Sequence, residues 1–173
     1  FVLPISIDSS RFVRALELRP GNKQIVHHAN MLVDNTGACR QIDRQESGPG
    51  YSGMENLNTA YRPAGHFLSW KVGTVPFAGY AEKTWQVEPG TDLVLNMHML
   101  PSGKSEQVQA EVGFYFSDKP PTDPELDLIQ LEADSKLDIP AEQEAFTVTD
   151  EFLLPVDVKV LGVYPHAHLL GKD

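Results

Sequence analysis

Apolar residues along the chain recur in short runs that alternate with polar ones, and stretches with helical period are scarce. Alternation puts successive side chains on opposite faces of an extended chain, so such runs predict strands with one buried face. They span residues 12–18, 25–33, 66–72, 84–87, 93–100, 108–116, 126–131, 146–154 and 158–164. Turn formers fall between them, at Arg19-Pro20-Gly21-Asn22, Asp34-Asn35-Thr36-Gly37, residues 47–53, Glu88-Pro89-Gly90 and Pro101-Ser102-Gly103-Lys104. Short strands at this spacing predict an all-β sandwich or barrel.

A break in the pattern divides the chain. The run ending in Phe114-Tyr115-Phe116 closes one set of strands, and Lys119-Pro120-Pro121-Thr122-Asp123-Pro124 reads as a linker. A first domain is expected over 1–119, a linker over 120–124, and the start of a second domain over 125–173, whose three strands are too few to bury both faces of a sandwich. The second domain is therefore expected to be truncated.

Composition narrows the function classes. Hydrophobic residues make up 41% of the 173, enough for a core, and 13 Gly with 13 Pro suit turn-rich β structure. A formal net charge of −10 argues against nucleic-acid binding, which needs clustered cations. No apolar run is long enough to span a bilayer. Cys39 is the single cysteine, so no internal disulfide can form. It is expected to be a buried or incidental thiol.

The candidate chemistry lies in the histidines. Five of the six stand in apolar, strand-like surroundings: His27 and His28 in IVHHANML, His98 in LVLNMHML, and His166 and His168 in VYPHAHLL. Imidazole is polar and metal-ligating, and a metal would give each ring a partner. His166 and His168, two apart, would face the same side of a strand and could share one ion. His27 and His28 are adjacent and would face opposite sides of a regular strand, so sharing an ion requires a bulge or a strand end. Asn96 would lie on the face of His98 as a supporting group, with Met97 and Met99 turned to the core. His66 is expected to be a loop histidine outside any site, and Trp70 and Trp85 to be core. No nucleophile-elbow, phosphate-loop, CxxC or HExxH motif is present.

The order of these motifs, HH, then a strand-borne His, then HxH followed by Leu169-Leu170-Gly171-Lys172, resembles the copper type II, ascorbate-dependent monooxygenases. Phe1-Val2-Leu3-Pro4, Val87-Glu88-Pro89-Gly90 before Leu93-Val94-Leu95, and Leu137-Asp138-Ile139-Pro140 extend the resemblance over nearly the whole chain. It implies a jelly-roll-like β-sandwich followed by the beginning of a second, each holding one copper. His27, His28 and His98 would be the ligands of an electron-transfer copper. His166 and His168 would be catalytic, as two ligands of an oxygen-activating copper whose third ligand, a Met, would lie beyond Asp173. The implied reaction hydroxylates an unactivated C–H bond of a small molecule or peptide with O2, and ascorbate is the electron donor. Tyr164 stands where the family's peptide-processing member has an Arg two residues before HxH. A phenol cannot pair bidentately with a carboxylate, which argues against a C-terminal glycine peptide as substrate. That departure and the lack of disulfides point to an extracytoplasmic bacterial relative, periplasmic or secreted. The competing expectation is a non-catalytic copper-binding β-sandwich module.

Overall fold

The computed structural model describes residues 1–52, 57–123, 126–131, 138–143 and 145–165. The chain divides into two compact units, Phe1–Leu128 and Ile129–Asp173. Among the described residues seven strands lie in the first: β1 (Val2–Pro4), β2 (Arg11–Arg19), β3 (Val26–Asp34), β4 (Leu68–Lys71), β5 (Trp85–Val87), β6 (Asp92–Met99) and β7 (Glu111–Ser117). They pair antiparallel in two sheets, one of order β1-β6-β3-β4 and the other β5-β2-β7. The protein is thus all-β, as the alternation predicts. Among the described residues the pairings link seven strands, short of the eight of a jelly roll.

The apolar positions of each strand explain the core. Ala29, Met31 and Val33 of β3, Leu93 and Leu95 of β6, Trp70 of β4, Val13 and Leu18 of β2, and Trp85 and Val87 of β5 join in one buried cluster to which both sheets contribute. Both tryptophans are core residues, as expected, and Met97 packs against the same cluster. Met99 does not: it is 41% exposed, because it ends β6 where the core gives out. Tight turns set the strand offsets. Gly21 between β2 and β3 has φ +74°, and a Cβ there would collide with the Gln109 carbonyl oxygen, so only glycine fits.

By the same alternation, the even-numbered residues of β3 from His28 onward and those of β6 face away from that core. At one end of this outer face Leu32 and Val94 are covered by Cys39 and by Tyr51, Leu57 and Ala60, forming a second, smaller cluster. Cys39 belongs to a short helix, α1 (Ala38–Asp43), which the hydrophobic pattern does not reveal. Its anchor is electrostatic. Asp34 and Asp92 stand directly opposite each other at the ends of β3 and β6, both with no exposed surface. Two facing carboxylates repel unless each is given its own donors. Asp92 takes the Arg40 guanidinium of α1, through Nε at 3.0 Å and through Nη2. Asp34 takes hydroxyl and backbone N–H donors instead. Arg40→Met is expected to lower the thermal midpoint by several degrees, since it strands a buried carboxylate. An unchanged melting curve would show that Asp92 finds another donor.

The Pro-rich segment read as a linker is tied to the first unit. The Glu82 carbonyl accepts the N–H of Thr122 at 3.0 Å and of Asp123 at 3.3 Å, Lys83 pairs with Asp123 at 3.3 Å, and the Leu126 N–H donates to the Ala64 carbonyl at 3.2 Å. The runs 126–131, 146–154 and 158–164, expected as strands, form none among the described residues. Their side chains are largely open to solvent: Leu153 is 91% exposed and Val163 85%. Strand-favouring residues need a facing strand and a surface to be half-buried against, and the described residues supply neither. No helix among the described residues is long and apolar enough to cross a membrane.

Candidate metal centre

His27, His28 and His98 come together on the outer face of the four-stranded sheet, on its two central strands. The device that allows this is a bulge. Val26 pairs with Met99 and His28 with His98, so two steps along β3 match one step along β6, and His27 is the additional residue. In a regular strand His27 would point opposite to His28; the bulge rotates it to the same side. Val26 keeps its place in the core, only 1% exposed, while both histidines are freed from it. His28 and His98 are direct cross-strand neighbours, so the ladder itself fixes their spacing.

One ring nitrogen from each histidine lies within 4.8 Å of the others. The ring centroids are 5.1, 5.3 and 4.8 Å apart, all with edge-to-face tilts, so the rings converge and do not stack. His27 Nδ1 and His28 Nδ1 are 3.0 Å apart. Two nitrogens that each lie about 2.0–2.1 Å from one ion can be at most about 4.2 Å apart. The 27–28 pair already meets that limit. The spacing of up to 4.8 Å across the trio exceeds it, so the rings would close in by about half an ångström or more on binding an ion.

The residues fit a metal on three counts. His98 Nδ1 is buried and has no hydrogen-bond partner among the described residues, which leaves this ring with an unmet polar atom. In the metal-free pair the N–H of one ring donates to the lone pair of the other, and an ion would take the place of that proton. Third, the group contains no carboxylate. Three neutral imidazoles suit copper, zinc or nickel and do not suit the hard cations Mg2+ and Ca2+. His27 is exposed and the other two half-buried, so the centre opens to solvent on one side.

The surroundings are ordered by the same ladder. Asn30 and Asn96 pair with each other one row further along the face, and Lys71 of β4 stands beside His28 on the side away from β6. Asn96 thus shares the face of His98, as its spacing predicts. His66 lies apart, at the end of a 3-10 turn over Pro63–Gly65, its Nδ1 2.9 Å from the Pro63 carbonyl oxygen and its Nε2 3.3 Å from that of Lys83. Cys39 is fully buried, its thiol 3.5 Å from the Leu57 carbonyl oxygen, in agreement with a structural thiol. Tyr164 is described and exposed. His166 and His168 lie outside the described residues. Asp34 and Asp92 were not singled out by the sequence pattern, and the only sign of them is an acidic residue at the end of one apolar run and another at the start of a second. No protein-family model, curated protein or solved structure matches the chain.

Proposed function

We propose that the chain belongs to a copper-dependent monooxygenase of the type II, ascorbate-dependent kind, and that His27, His28 and His98 hold its electron-transfer copper. The observation that carries this reading is the bulge at His27, which turns two adjacent histidines toward a third across the ladder. A bulge that serves only to bend the strand has no need of imidazole at all three positions. Three imidazoles alone would accept zinc as well. The choice of copper rests on the order of the histidine motifs along the sequence.

A bound copper would supply one-electron chemistry at this position. The protein's part is to hold three neutral donors on adjacent rigid strands and to keep one side of the centre open. In this reading His166 and His168 serve a second copper, where O2 is used to hydroxylate a C–H bond of a small-molecule or peptide substrate, with ascorbate as reductant. The setting is extracytoplasmic, and each sandwich has jelly-roll form. A copper-binding module without catalysis is the second reading; the exposed first centre would serve it equally.

Copper titration followed by X-ray absorption tests both readings. The full chain is expected to take up copper with three histidine nitrogens at about 2.0–2.1 Å. The His166→Ala, His168→Ala double variant is expected to keep this first copper and to lose any second one. Loss of both together would sink the two-centre assignment. Oxygen uptake that depends on ascorbate favours the enzyme, and copper bound without uptake favours the module.

A further inference from the structure

A cavity of about 90 Å3 opens on the outer face of the four-stranded sheet, next to the histidine trio. Asn30 and Asn96, directly paired across β3 and β6, form part of its lining. They stand two residues along from His28 and His98, about 7 Å away on the same face. Leu57, Leu68 and Phe67 contribute apolar surface, and Arg62 is the sole charged side chain in the lining. Its guanidinium carbon lies 5.4 Å from the centre of the Phe67 ring, a cation–π contact that helps to orient the fork. Among the described residues Arg62 has no carboxylate partner, on a chain whose net charge is −10.

We propose that this cavity is a binding site for a short-chain carboxylate, held by Arg62 and the Asn30–Asn96 amide pair beside the histidine trio. The guanidinium presents parallel N–H groups that match two coplanar carboxylate oxygens. The amides add neutral donors that do not repel the anion. Leu57, Leu68 and the Phe67 ring accept a few carbon atoms. The volume admits several waters' worth of ligand, which suits two to four carbons and excludes a bulky acid. A tetrahedral phosphate carries more charge than one guanidinium balances, and it would gain nothing from the apolar walls. The site depends on the cavity alone and stands whether or not a metal binds the trio.

The test uses the metal-free full chain labelled with 15N and titrated with propionate, its neutral isostere propionamide, and inorganic phosphate. Propionate is expected to shift the side-chain amide signals of Asn30 and Asn96 as one saturable site. Arg62→Gln is expected to weaken it at least tenfold, with Arg62→Lys between the two, because the charge remains and the fork is lost. Propionamide is expected to bind at least tenfold more weakly than propionate, and phosphate to leave both amides unmoved. The proposal is overturned if Arg62→Gln binds propionate as the parent does, if propionamide or phosphate matches propionate, or if the two asparagine signals do not move. The exposed position of Arg62 leaves the fold intact in both variants, and an unchanged backbone spectrum verifies it.

Discussion

His98→Ala is expected to weaken copper binding by about a hundredfold and to leave the metal-free protein as stable as the parent. Closed structural zinc sites with four ligands bind with about 10–16 kcal/mol, near 3 kcal/mol per ligand, and the same share for one of three imidazoles corresponds to a factor of about a hundred in affinity. The stability half of the expectation comes from the position of the ring. His98 is on the outer face, half-buried, and its Nδ1 has no partner among the described residues. Removing it opens no hole in the core formed by Leu93, Leu95 and their neighbours. The change in metal-free stability should stay within about 0.5 kcal/mol. Competition against a copper chelator gives the first quantity and chemical denaturation of the metal-free variant the second. A variant that loses stability without metal and keeps its copper affinity would mark His98 as a packing residue and undo the centre.

Asp34→Asn is expected to cost about 3 kcal/mol at neutral pH. Asp34 Oδ1 accepts from the Thr36 N–H at 2.9 Å, the Thr36 hydroxyl at 2.6 Å and the Thr59 hydroxyl at 2.9 Å, and Oδ2 accepts from the Cys39 N–H at 2.9 Å. Through the last of these the carboxylate caps the first turn of α1, because Gly37 at the cap position has no side chain to do so. An amide at this place turns one acceptor into a donor that faces other donors. Burial by itself pushes the Asp34 carboxyl up, but the hydroxyl and N–H donors around it outweigh burial and hold it well below the usual carboxylate range. A carboxyl whose folded value is depressed adds stability above its unfolded value, about 3.9, and loses it as the pH falls toward the folded value. The gap between parent and variant should therefore be full at pH 6–7 and narrow steadily below about pH 4. Denaturant midpoints measured from pH 7 to pH 3 check this. A gap independent of pH would mean that the lost hydrogen-bond geometry, and not the charge, sets the cost.

Much of the sandwich was legible because alternation reports a face to be buried. The runs at 12–18, 25–33, 93–100 and 108–116 each became a strand with bounds shifted by a few residues, and their odd-numbered core positions Val13, Ala29, Met31, Val33, Leu93 and Leu95 are buried. The same signal failed at 126–131, 146–154 and 158–164. Local preference for an extended chain becomes a strand only when another strand supplies the ladder, and nothing in a single segment encodes that partner. Helix α1 was invisible for the opposite reason. Six residues are too few to show helical period, and their place is fixed by contacts with Asp34 and Asp92, which are distant in sequence or outside the apolar pattern.

The sequence by itself determined which residues could ligate a metal, since imidazoles set in apolar strands are written in the order of the letters. It also determined that His27 and His28 need an irregular backbone to act together, because a residue's side in a regular strand follows from its parity. Only the tertiary structure decided where that irregularity falls. The bulge exists through the pairing of Val26 with Met99 and His28 with His98, a relation between strands some 70 residues apart that no local pattern contains. Register is a property of two strands together, and so the convergence of the three rings, the cavity beside them and the buried carboxylate pair at the far end all waited on it.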